Sequence, residues 1–343
     1  MAKIMINFKP KDALKTLLSG LPERSQDIIR RRYGLNESDA LTLEAIGQSY
    51  GITRERVRQI EEATLKLIKK SDAFAGLEHA FEELKTALED YGGIAHEADF
   101  LRHLHEHPVT QNQINFFLVL GDHFTKLKED DDFHHRWTVN TDLANRVHGA
   151  INKLVKELSE DELLAEEELI SRLIKKLEAD HKDELVRERG KRWLLISKRL
   201  GVNPVGEWGL AHSPNIKLRG IRDYAFLVLR RHGSPLHFTE VAKAIENTFK
   251  HRANPATCHN ELIKDGRFVL VGRGLYALTE WGYSRGVVRD VIRAMIEKHG
   301  PLSEQEILDR VLKERYVKEN TVLVNLRNSP NFKKDSSGKY TAN

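Results

Sequence analysis

A stripe of polar side chains follows one face of a predicted helix near the start of the chain. The face carries Arg54, Glu55, Arg58, Gln59 and Glu62. Spacings of one, three and four residues keep these side chains together on a helix. Arginine binds guanine O6 and N7, glutamine binds adenine N6 and N7, and glutamate accepts a hydrogen bond from cytosine N4. The stripe therefore predicts contact with base edges in a DNA major groove.

Further cations on the same helix suit the phosphate backbone. They are Arg56, Lys66, Lys69 and Lys70. Contacts to phosphate position a helix without reading sequence. The same pattern also fits a solvated amphipathic helix with ion pairs such as Glu62 to Lys66, so composition alone leaves both interpretations open.

Caps and apolar spacing predict the elements that hold this helix. Pro22 and Gly34 bound a first helix that begins near Glu23. Thr42 is the predicted N-cap of a second helix, and after a tight turn at Gly51 a second N-cap, Thr53, starts the third. The core positions of the second helix are Leu43, Ile46 and Tyr50. Those of the third helix are Val57, Ile60, Thr64 and Leu67. Together these features predict a helix-turn-helix domain.

A repeated pattern follows, in which short helices precede a β-hairpin signal. The copies cover about 77–140, 219–283 and 284–343. Each has a phenylalanine entering the first hairpin strand and an aromatic residue in the second. These residues are Phe124 and Trp137, Phe268 and Tyr276, and Phe332 and Tyr340. Helices followed by a terminal hairpin are typical of winged-helix modules.

The predicted fold class is therefore mainly α, with a helix-turn-helix domain followed by several winged-helix modules. Residues 1–20 form a lead-in with a helix from Lys11, and residues 21–72 form the helix-turn-helix domain. Residues 141–216 are either a helical linker or a degenerate winged helix. In that segment we expect one helix around Leu169–Leu177, a longer one over Glu184–Leu200, and a wing at NPVGEWGLA.

Composition indicates a globular protein without a membrane span. The 343 residues suggest several small domains. The chain is 40% hydrophobic and 31% charged, and we find neither an apolar run of about 20 residues nor a signal peptide. Cys258 is the single cysteine, so no internal disulfide is possible, and we expect a reducing cytoplasm and a buried, inert thiol.

Net charge is +4, but it is unevenly placed. Residues 157–183 hold ten Asp/Glu against four Lys/Arg, and residues 184–223 hold nine Lys/Arg against four Asp/Glu. The two blocks suggest either separate surfaces with separate partners or two solvated helix faces.

The string LPERSQDIIRRRYGL…TLEAIGQSYGITRERVRQIEEATLKLIKK closely resembles region 4 of the bacterial sigma-70 family of RNA polymerase initiation factors. The resemblance implies binding of double-stranded promoter DNA at a −35-type element and docking on the beta flap of the polymerase core. At matching positions it implies that Arg54, Glu55, Arg58 and Gln59 lie in the major groove. It also implies backbone or supporting contacts from Arg24, Leu43, Glu44 and Arg56. A full sigma factor also carries an upstream region that melts the promoter. Because about 20 residues precede the match, we expect this chain not to melt DNA alone.

Residues about 219–283, with PLHFTEVAKAI and GRF…GRGLYAL, resemble the HARE-type winged helix of the polymerase delta subunit and of chromatin proteins. That module serves DNA and protein contacts. Its wing offers Arg267 and Arg273 as possible phosphate contacts, or as solvated loop residues. The wing of the first copy holds four consecutive carboxylates, Glu129 to Asp132, which phosphate would repel, so we expect that copy to pack on protein or to have no role at DNA.

We find no signature of an enzyme, a cofactor or a metal site. Several histidines lie close in sequence, but alternate positions on a helix do not converge on one ion. They are His96, His103, His105, His107, His134 and His135. The leading hypothesis is a promoter-directed DNA-binding transcription protein. A delta-like polymerase accessory protein and a non-specific architectural DNA binder are the alternatives, and the sequence leaves the oligomeric state open.

Overall fold

The computed structural model describes residues 6–37, 39–177, 184–284 and 286–342. The chain divides into two compact units. Unit 1 comprises residues 1–201 and 208–211, and unit 2 comprises residues 202–207 and 212–343. The described residues are mainly helical, with small antiparallel sheets, as the sequence predicts.

Unit 1 begins with the predicted helix-turn-helix. Its helices are α1 Pro10–Leu18, α2 Glu23–Tyr33, α3 Leu43–Tyr50, α4 Arg54–Lys69 and the short α5 Asp72–Ala75. The Thr42 hydroxyl accepts a hydrogen bond from the Ala45 N–H, and the Thr53 hydroxyl accepts one from the Arg56 N–H, so both predicted N-caps are confirmed. Gly34 ends α2 in the left-handed conformation, with φ of 61°.

The buried stripe of α4 differs from the predicted one in its last turn. Val57 and Thr64 are buried as expected, but Leu67 is 55% exposed and Ile68 is fully buried. Residues 57, 64 and 68 follow the i, i+7, i+11 positions of a helix, and Ile68 joins the core formed with α1. The prediction for Leu67 was therefore wrong by one position.

The N-terminal segment is a core element rather than a lead-in. On α1, Leu14, Leu17 and Leu18 are buried in the same cluster as Ile29 of α2 and Phe117 of the following module. Burying three leucines contributes on the order of 5 kcal/mol. The helix-turn-helix and the first winged-helix copy thus share one hydrophobic core.

The first winged-helix copy is present with one strand that the sequence did not reveal. Its elements are α6 Glu78–Tyr91, β1 Ile94–His96, α7 Glu97–Leu104, α8 Pro108–Leu120, β2 Thr125–Leu127 and β3 Arg136–Thr138. The sheet order is β1-β3-β2, all antiparallel. Phe124 and Trp137 are buried where the repeat predicts.

Residues 141–210 adopt the same order of elements as the first copy. The elements are α9 Thr141–Glu157, β4 Leu164–Ala165, α10 Glu166–Lys176, α11 Glu184–Leu194, β5 Leu200–Val202 and β6 Glu207–Leu210, with sheet order β4-β6-β5. The predicted helix over Glu184–Leu200 was too long. It ends at Leu194 because the Ile196 carbonyl accepts from the His134 N–H and the Lys198 N–H donates to the Asp132 carbonyl.

Acidic side chains of α10 form ion pairs with basic side chains of α11. Glu166 of α10 lies 2.8 Å from Lys191 of α11, and Glu167 lies 2.9 Å from Arg187. Residues 178–183, the end of the predicted acidic block, lie outside the described residues.

Unit 2 contains two further modules. The first has α12 Ile221–His232, β7 Leu236–His237, α13 Phe238–Phe249, α14 Pro255–Lys264, β8 Phe268–Gly272 and β9 Leu275–Leu278. The second has α15 Val288–His299, α16 Glu304–Glu314, α17 Glu319–Arg327, β10 Phe332–Lys334 and β11 Tyr340–Ala342. The hairpins β8–β9 and β10–β11 confirm both predicted wings.

Two smaller expectations concern single features. Cys258 is fully buried, as predicted, and burial raises the pKa of its thiol to about 11. None of the helices in the described part of the chain combines the length and apolar character needed to cross a bilayer.

Candidate nucleic-acid interface

A small core fixes α4 against α2 and α3. Ile28, Ile46 and Val57, one from each helix, are fully buried and pack together. The turn between α3 and α4 is tight, because the Ile52 N–H donates to the Gly47 carbonyl at 3.0 Å. A Cβ on Gly47 would lie 2.7 Å from the Ile52 carbonyl oxygen, so only glycine fits there. The angle between the helices is therefore set by backbone contact.

The predicted base-contacting side chains all lie on the solvent side of α4. Arg54, Glu55, Arg58 and Gln59 are exposed, and Glu62 extends the same face. Val57, beneath them, is fully buried. The sequence thus places these polar groups on one free face, which is the geometry that entry into a groove requires.

Ion pairs hold the guanidinium of Arg58 on this face. Its Nη2 lies 2.7 Å from Glu55 Oε1, and its Nη1 lies 2.5 Å from Glu62 Oε1. The hydrogen bond from Arg58 keeps the pKa of the Glu55 carboxyl below its usual range, and the two carboxylates raise the pKa of Arg58. An arginine that contacts a base must first release these partners. The ion pair that the sequence suggested, Glu62 to Lys66, is replaced by Glu62 to Arg58.

The predicted phosphate contacts of α4 differ in their surroundings. Lys66 and Lys70 are exposed, whereas Lys69 lies 2.5 Å from the carboxylate of Asp122. Arg56 is exposed and donates to the Gln59 amide oxygen at 3.2 Å. Lys66 and Lys70 are therefore better placed for phosphate than Lys69.

The residues that the sigma resemblance singled out lie near α4. Leu43, Glu44 and Arg54 line one surface recess of about 390 Å³ together with Thr42 and Arg32. Arg24 is exposed, and its guanidinium lies 5.1 Å from the ring centre of Tyr50.

Arg32 also lines this recess, and the sequence analysis did not identify it as a site residue. It belongs to the basic run Arg30–Arg32 at the end of α2. The run is evident in the sequence, but the sequence does not indicate which of its three arginines lines the recess. In the structure Arg32 Nε lies 3.4 Å from Glu61, and its Nη1 donates to the Leu41 carbonyl.

Arg267 does not occupy the position that the sequence predicted for it. Its Nη2 lies 2.8 Å from Asp223 and 2.7 Å from Asp265, and its Nη1 donates to Asn215 at 2.9 Å. Asp223 is 1% exposed, so this ion pair belongs to the module's interior. The prediction of a free wing arginine was wrong at Arg267, since its donors satisfy buried acceptors. Arg273, at the hairpin turn, is exposed and stays a candidate.

The acidic wing of the first module forms ion pairs with residues that follow α11. Glu129 lies 2.9 Å from Lys198, and Asp132 lies 3.4 Å from Arg199, both after α11. Arg136 is 5% exposed and binds Asp130 at 2.9 Å. The carboxylates of this wing therefore help to hold two modules of unit 1 together.

Four of the histidines noted in the sequence lie ring against ring in two pairs. The rings of His105 and His107 lie 5.3 Å apart, and those of His96 and His134 lie 4.7 Å apart in a tilted arrangement. Within the described ranges, potential ligand atoms converge instead at Glu78, Glu82 and His123, on the protein surface. Surface carboxylates commonly group in this way without an ion, and we assign no site there.

Comparison with known proteins agrees with this geometry. Residues 17–70 match the family model of Sigma-70, region 4. Residues 221–281 match the family model of HARE-HTH, the helix-turn-helix domain described for ASXL and restriction endonuclease proteins. Both recognitions made from the sequence are confirmed, and the first match includes the end of α1. Both families are DNA-binding domains rather than enzyme families, and residues 17–70 are a sigma-like DNA-binding region.

Individual sigma factors match short segments of the chain. RNA polymerase sigma factor SigA of Bacillus sp is 41% identical over 59 residues, which cover 17% of this chain and 16% of that protein. Sigma factor SigA1 of Synechococcus elongatus is 44% identical over 59 residues, covering 17% and 15%. Sigma factor RpoS of Coxiella burnetii is 38% identical over 68 residues, covering 20% and 19%. The chain spans less than a fifth of the length of these relatives.

Proposed function

We propose that this chain is a promoter-directed DNA-binding transcription protein. In this proposal α4 enters the major groove of a −35-type element, and Arg54, Glu55, Arg58 and Gln59 contact base edges. Lys66 and Lys70 contact phosphate, with Lys69 contributing when its pair with Asp122 opens. Arg24, Leu43, Glu44 and Arg56 support the complex from the backbone side.

The single observation that carries the proposal is the free polar face of α4 within a segment that matches Sigma-70 region 4. The face presents guanidinium, carboxamide and carboxylate groups, and the buried core of Ile28, Ile46 and Val57 holds it outward. By analogy with the sigma factors that it resembles, the chain would also dock on RNA polymerase at the beta flap. It would then act at the bacterial nucleoid.

A gel-shift experiment tests base contact. The full chain is titrated into a duplex with a −35-type hexamer and into a scrambled duplex, at two salt concentrations. We expect tighter binding to the first duplex, and equal binding would refute contact with the bases. Arg58→Ala should lower discrimination at one base pair, whereas Lys66→Ala should weaken all sequences and flatten the salt dependence. Lys69→Ala should act like Lys66→Ala but more weakly, because of Asp122.

A second function, a polymerase accessory protein of the delta type, is favoured by a different observation. The third helix of the first module, α8, is closed to nucleic acid, since Ile114, Phe116 and Phe117 are buried and Gln113 donates to the Leu35 carbonyl at 2.9 Å. A module without a free third helix suits protein contact. Co-purification with RNA polymerase by a chain that does not discriminate between duplexes would support this function over the first.

A further inference from the structure

An apolar groove lies between α12 and α13 of the HARE-type module. It has a volume of about 330 Å³, and most of the residues that line it are apolar. They are Val205, Leu227, Val228, Leu236, Ala244 and Phe249. Val205 comes from the turn between β5 and β6, which belongs to the same compact unit as α12 and α13. The volume and the apolar lining are both typical of a binding site.

Hydrogen bonds fix the turn that forms one wall of this groove. Asn203 is 3% exposed, and its Oδ1 accepts from the Val205 N–H at 3.1 Å and from the Glu207 N–H at 3.0 Å. Its Nδ2 donates to the Asn215 carbonyl at 3.3 Å. Gly206 completes the turn with φ of 87°. The wall is therefore formed before a partner arrives, so binding requires little ordering of the groove.

The rim of the groove offers positive charge to a partner. Arg231 lines the groove and is exposed, and among the described residues it has no ion-pair partner. Its neighbour Arg230 lies 3.4 Å from both Glu207 and Glu280, so these two carboxylates already have a cation. Arg231 is thus the guanidinium at this surface that an outside carboxylate can reach.

The carboxylates of α13 are used within the module. Glu240 accepts from the His237 N–H at 3.0 Å, and Glu246 accepts from the Ala253 N–H at 3.1 Å. Neither glutamate lines the groove. The groove therefore combines an apolar floor with a basic rim, and its complement is an apolar group that carries negative charge beside it.

A second recess, of about 680 Å³, adjoins the groove and extends the surface. Both are lined by Val205, Leu227 and Arg231, and the second recess is also lined by Trp281. Arg231 therefore borders both. A surface that continues past its cation on the side of an indole ring is longer than one side chain. This length favours a peptide segment over a small molecule as the occupant.

We propose that the groove between α12 and α13 is the docking site of an acidic amphipathic helix from a partner protein. Apolar side chains on one face of that helix enter the groove, and carboxylates beside them pair with Arg231. Charge complementarity carries the choice of this occupant. No residue of α14 or of the β8–β9 wing lines the groove, so the site does not depend on DNA contact by this module or by α4.

The test uses the full chain and a short fluorescein-labelled peptide of glutamate and leucine, with leucines at the i, i+3, i+4 spacing of one helix face. Binding is followed by fluorescence anisotropy. Ala244→Leu fills the groove from α13 and should weaken binding by about 30-fold, the loss typical of a central apolar anchor. Arg231→Gln should weaken binding by up to about fivefold at low salt, and this loss should shrink as salt rises.

Matched controls separate docking from damage to the fold. Arg252→Gln removes the same charge at an exposed position after α13 that does not line the groove, and it should keep the wild-type affinity. Two altered peptides test the same contacts without changing the protein. A peptide with alanine in place of leucine should lose binding. A peptide with glutamine in place of glutamate should bind more weakly and without dependence on salt.

Each outcome decides the proposal. Absence of binding by the glutamate–leucine peptide, or equal binding by the wild type and Ala244→Leu, would overturn it. Self-association that Ala244→Leu abolishes, without peptide binding, would assign the groove to a second copy of the chain. Displacement of the peptide by duplex DNA only when Arg231 is present would assign this arginine to nucleic acid. Gel shifts of both groove variants on the −35-type duplex should match the wild type, so failure here leaves the proposed role of α4 untouched.

Discussion

Replacing Glu62 with glutamine should strengthen DNA binding. In the unbound protein Arg58 is held by two carboxylates, from Glu55 at 2.7 Å and from Glu62 at 2.5 Å. Glu62 also places a negative charge on the face that would approach phosphate. Glu62→Gln removes that charge and leaves Arg58 with a single carboxylate partner. The helix itself should tolerate the change, since glutamine and glutamate have similar helix propensities.

The magnitude follows from the charges. Removing one negative charge from the face that approaches phosphate adds at most about 0.9 to the steepness of log K against log salt. Between about 50 and 200 mM salt, that change corresponds to about a 3.5-fold larger loss of affinity than in the wild type. We therefore expect several-fold tighter binding at low salt, with a gain that shrinks as salt rises. Glu55→Ala should show a similar gain on scrambled DNA but lose discrimination, because the predicted cytosine acceptor is gone.

Fluorescence anisotropy on −35-containing and scrambled duplexes, at four salt concentrations, measures both quantities. Glu160→Gln, the same charge change at an exposed position after α9, serves as the control and should match the wild type. Equal or weaker binding by Glu62→Gln, with an unchanged salt slope, would show that the carboxylate does not compete with DNA for Arg58. The proposed role of Arg58 would then be refuted together with the prediction.

Two further predictions concern the turn between α3 and α4 and the dependence of stability on pH. Gly47→Ala must displace the Ile52 carbonyl and should cost about 1–3 kcal/mol of stability and weaken DNA binding. The new Cβ of Gly51→Ala meets open space, but the residue keeps a φ of 63°, so this variant should lose roughly 1–2 kcal/mol of stability while DNA binding persists. Equal loss of thermal stability and equal DNA binding by the two variants would contradict this account. Burial, and next the charge of Arg136, lower the pKa of His148 from 6.5 to about 4. Between pH 6.5 and 4 His148 therefore binds a proton in the unfolded chain but not in the folded protein. The free energy of unfolding of unit 1 should decrease as the pH falls through this range. His148→Gln can still accept a hydrogen bond from Arg136, and it should remove most of this dependence of stability on pH, measured by acid unfolding. An unchanged dependence would show that other groups cause it.

Local signals predicted the helix-turn-helix in detail. Thr42 and Thr53 cap the helices as their sequence positions indicate, and the polar stripe of α4 is exposed because an apolar stripe lies opposite. Capping and helical periodicity depend on residues three or four apart, so a single sequence contains them. The wings were predicted for a similar reason, since a hairpin needs only a turn signal between two alternating segments.

Contacts between residues that are distant in the sequence could not be predicted. Strand β1 is short, and its identity as a strand depends on its partner β3, which lies far along the chain. The end of α11 depends on hydrogen bonds to the wing of the preceding module. Charge partners show the same limit, because nothing near Arg267 in sequence reveals that its guanidinium will pair with the buried Asp223.

The sequence by itself determined the kinds of element, their order, and the chemistry carried by α4, because these depend on local spacing and residue type. Only the tertiary structure decided which charges are free. Lys69 pairs with Asp122 and Arg267 is part of an interior ion pair, whereas Lys66 and Lys70 stay exposed. The physical reason is that an ion pair between distant residues forms only where packing brings two side chains within about 4 Å, and packing is a property of the whole fold.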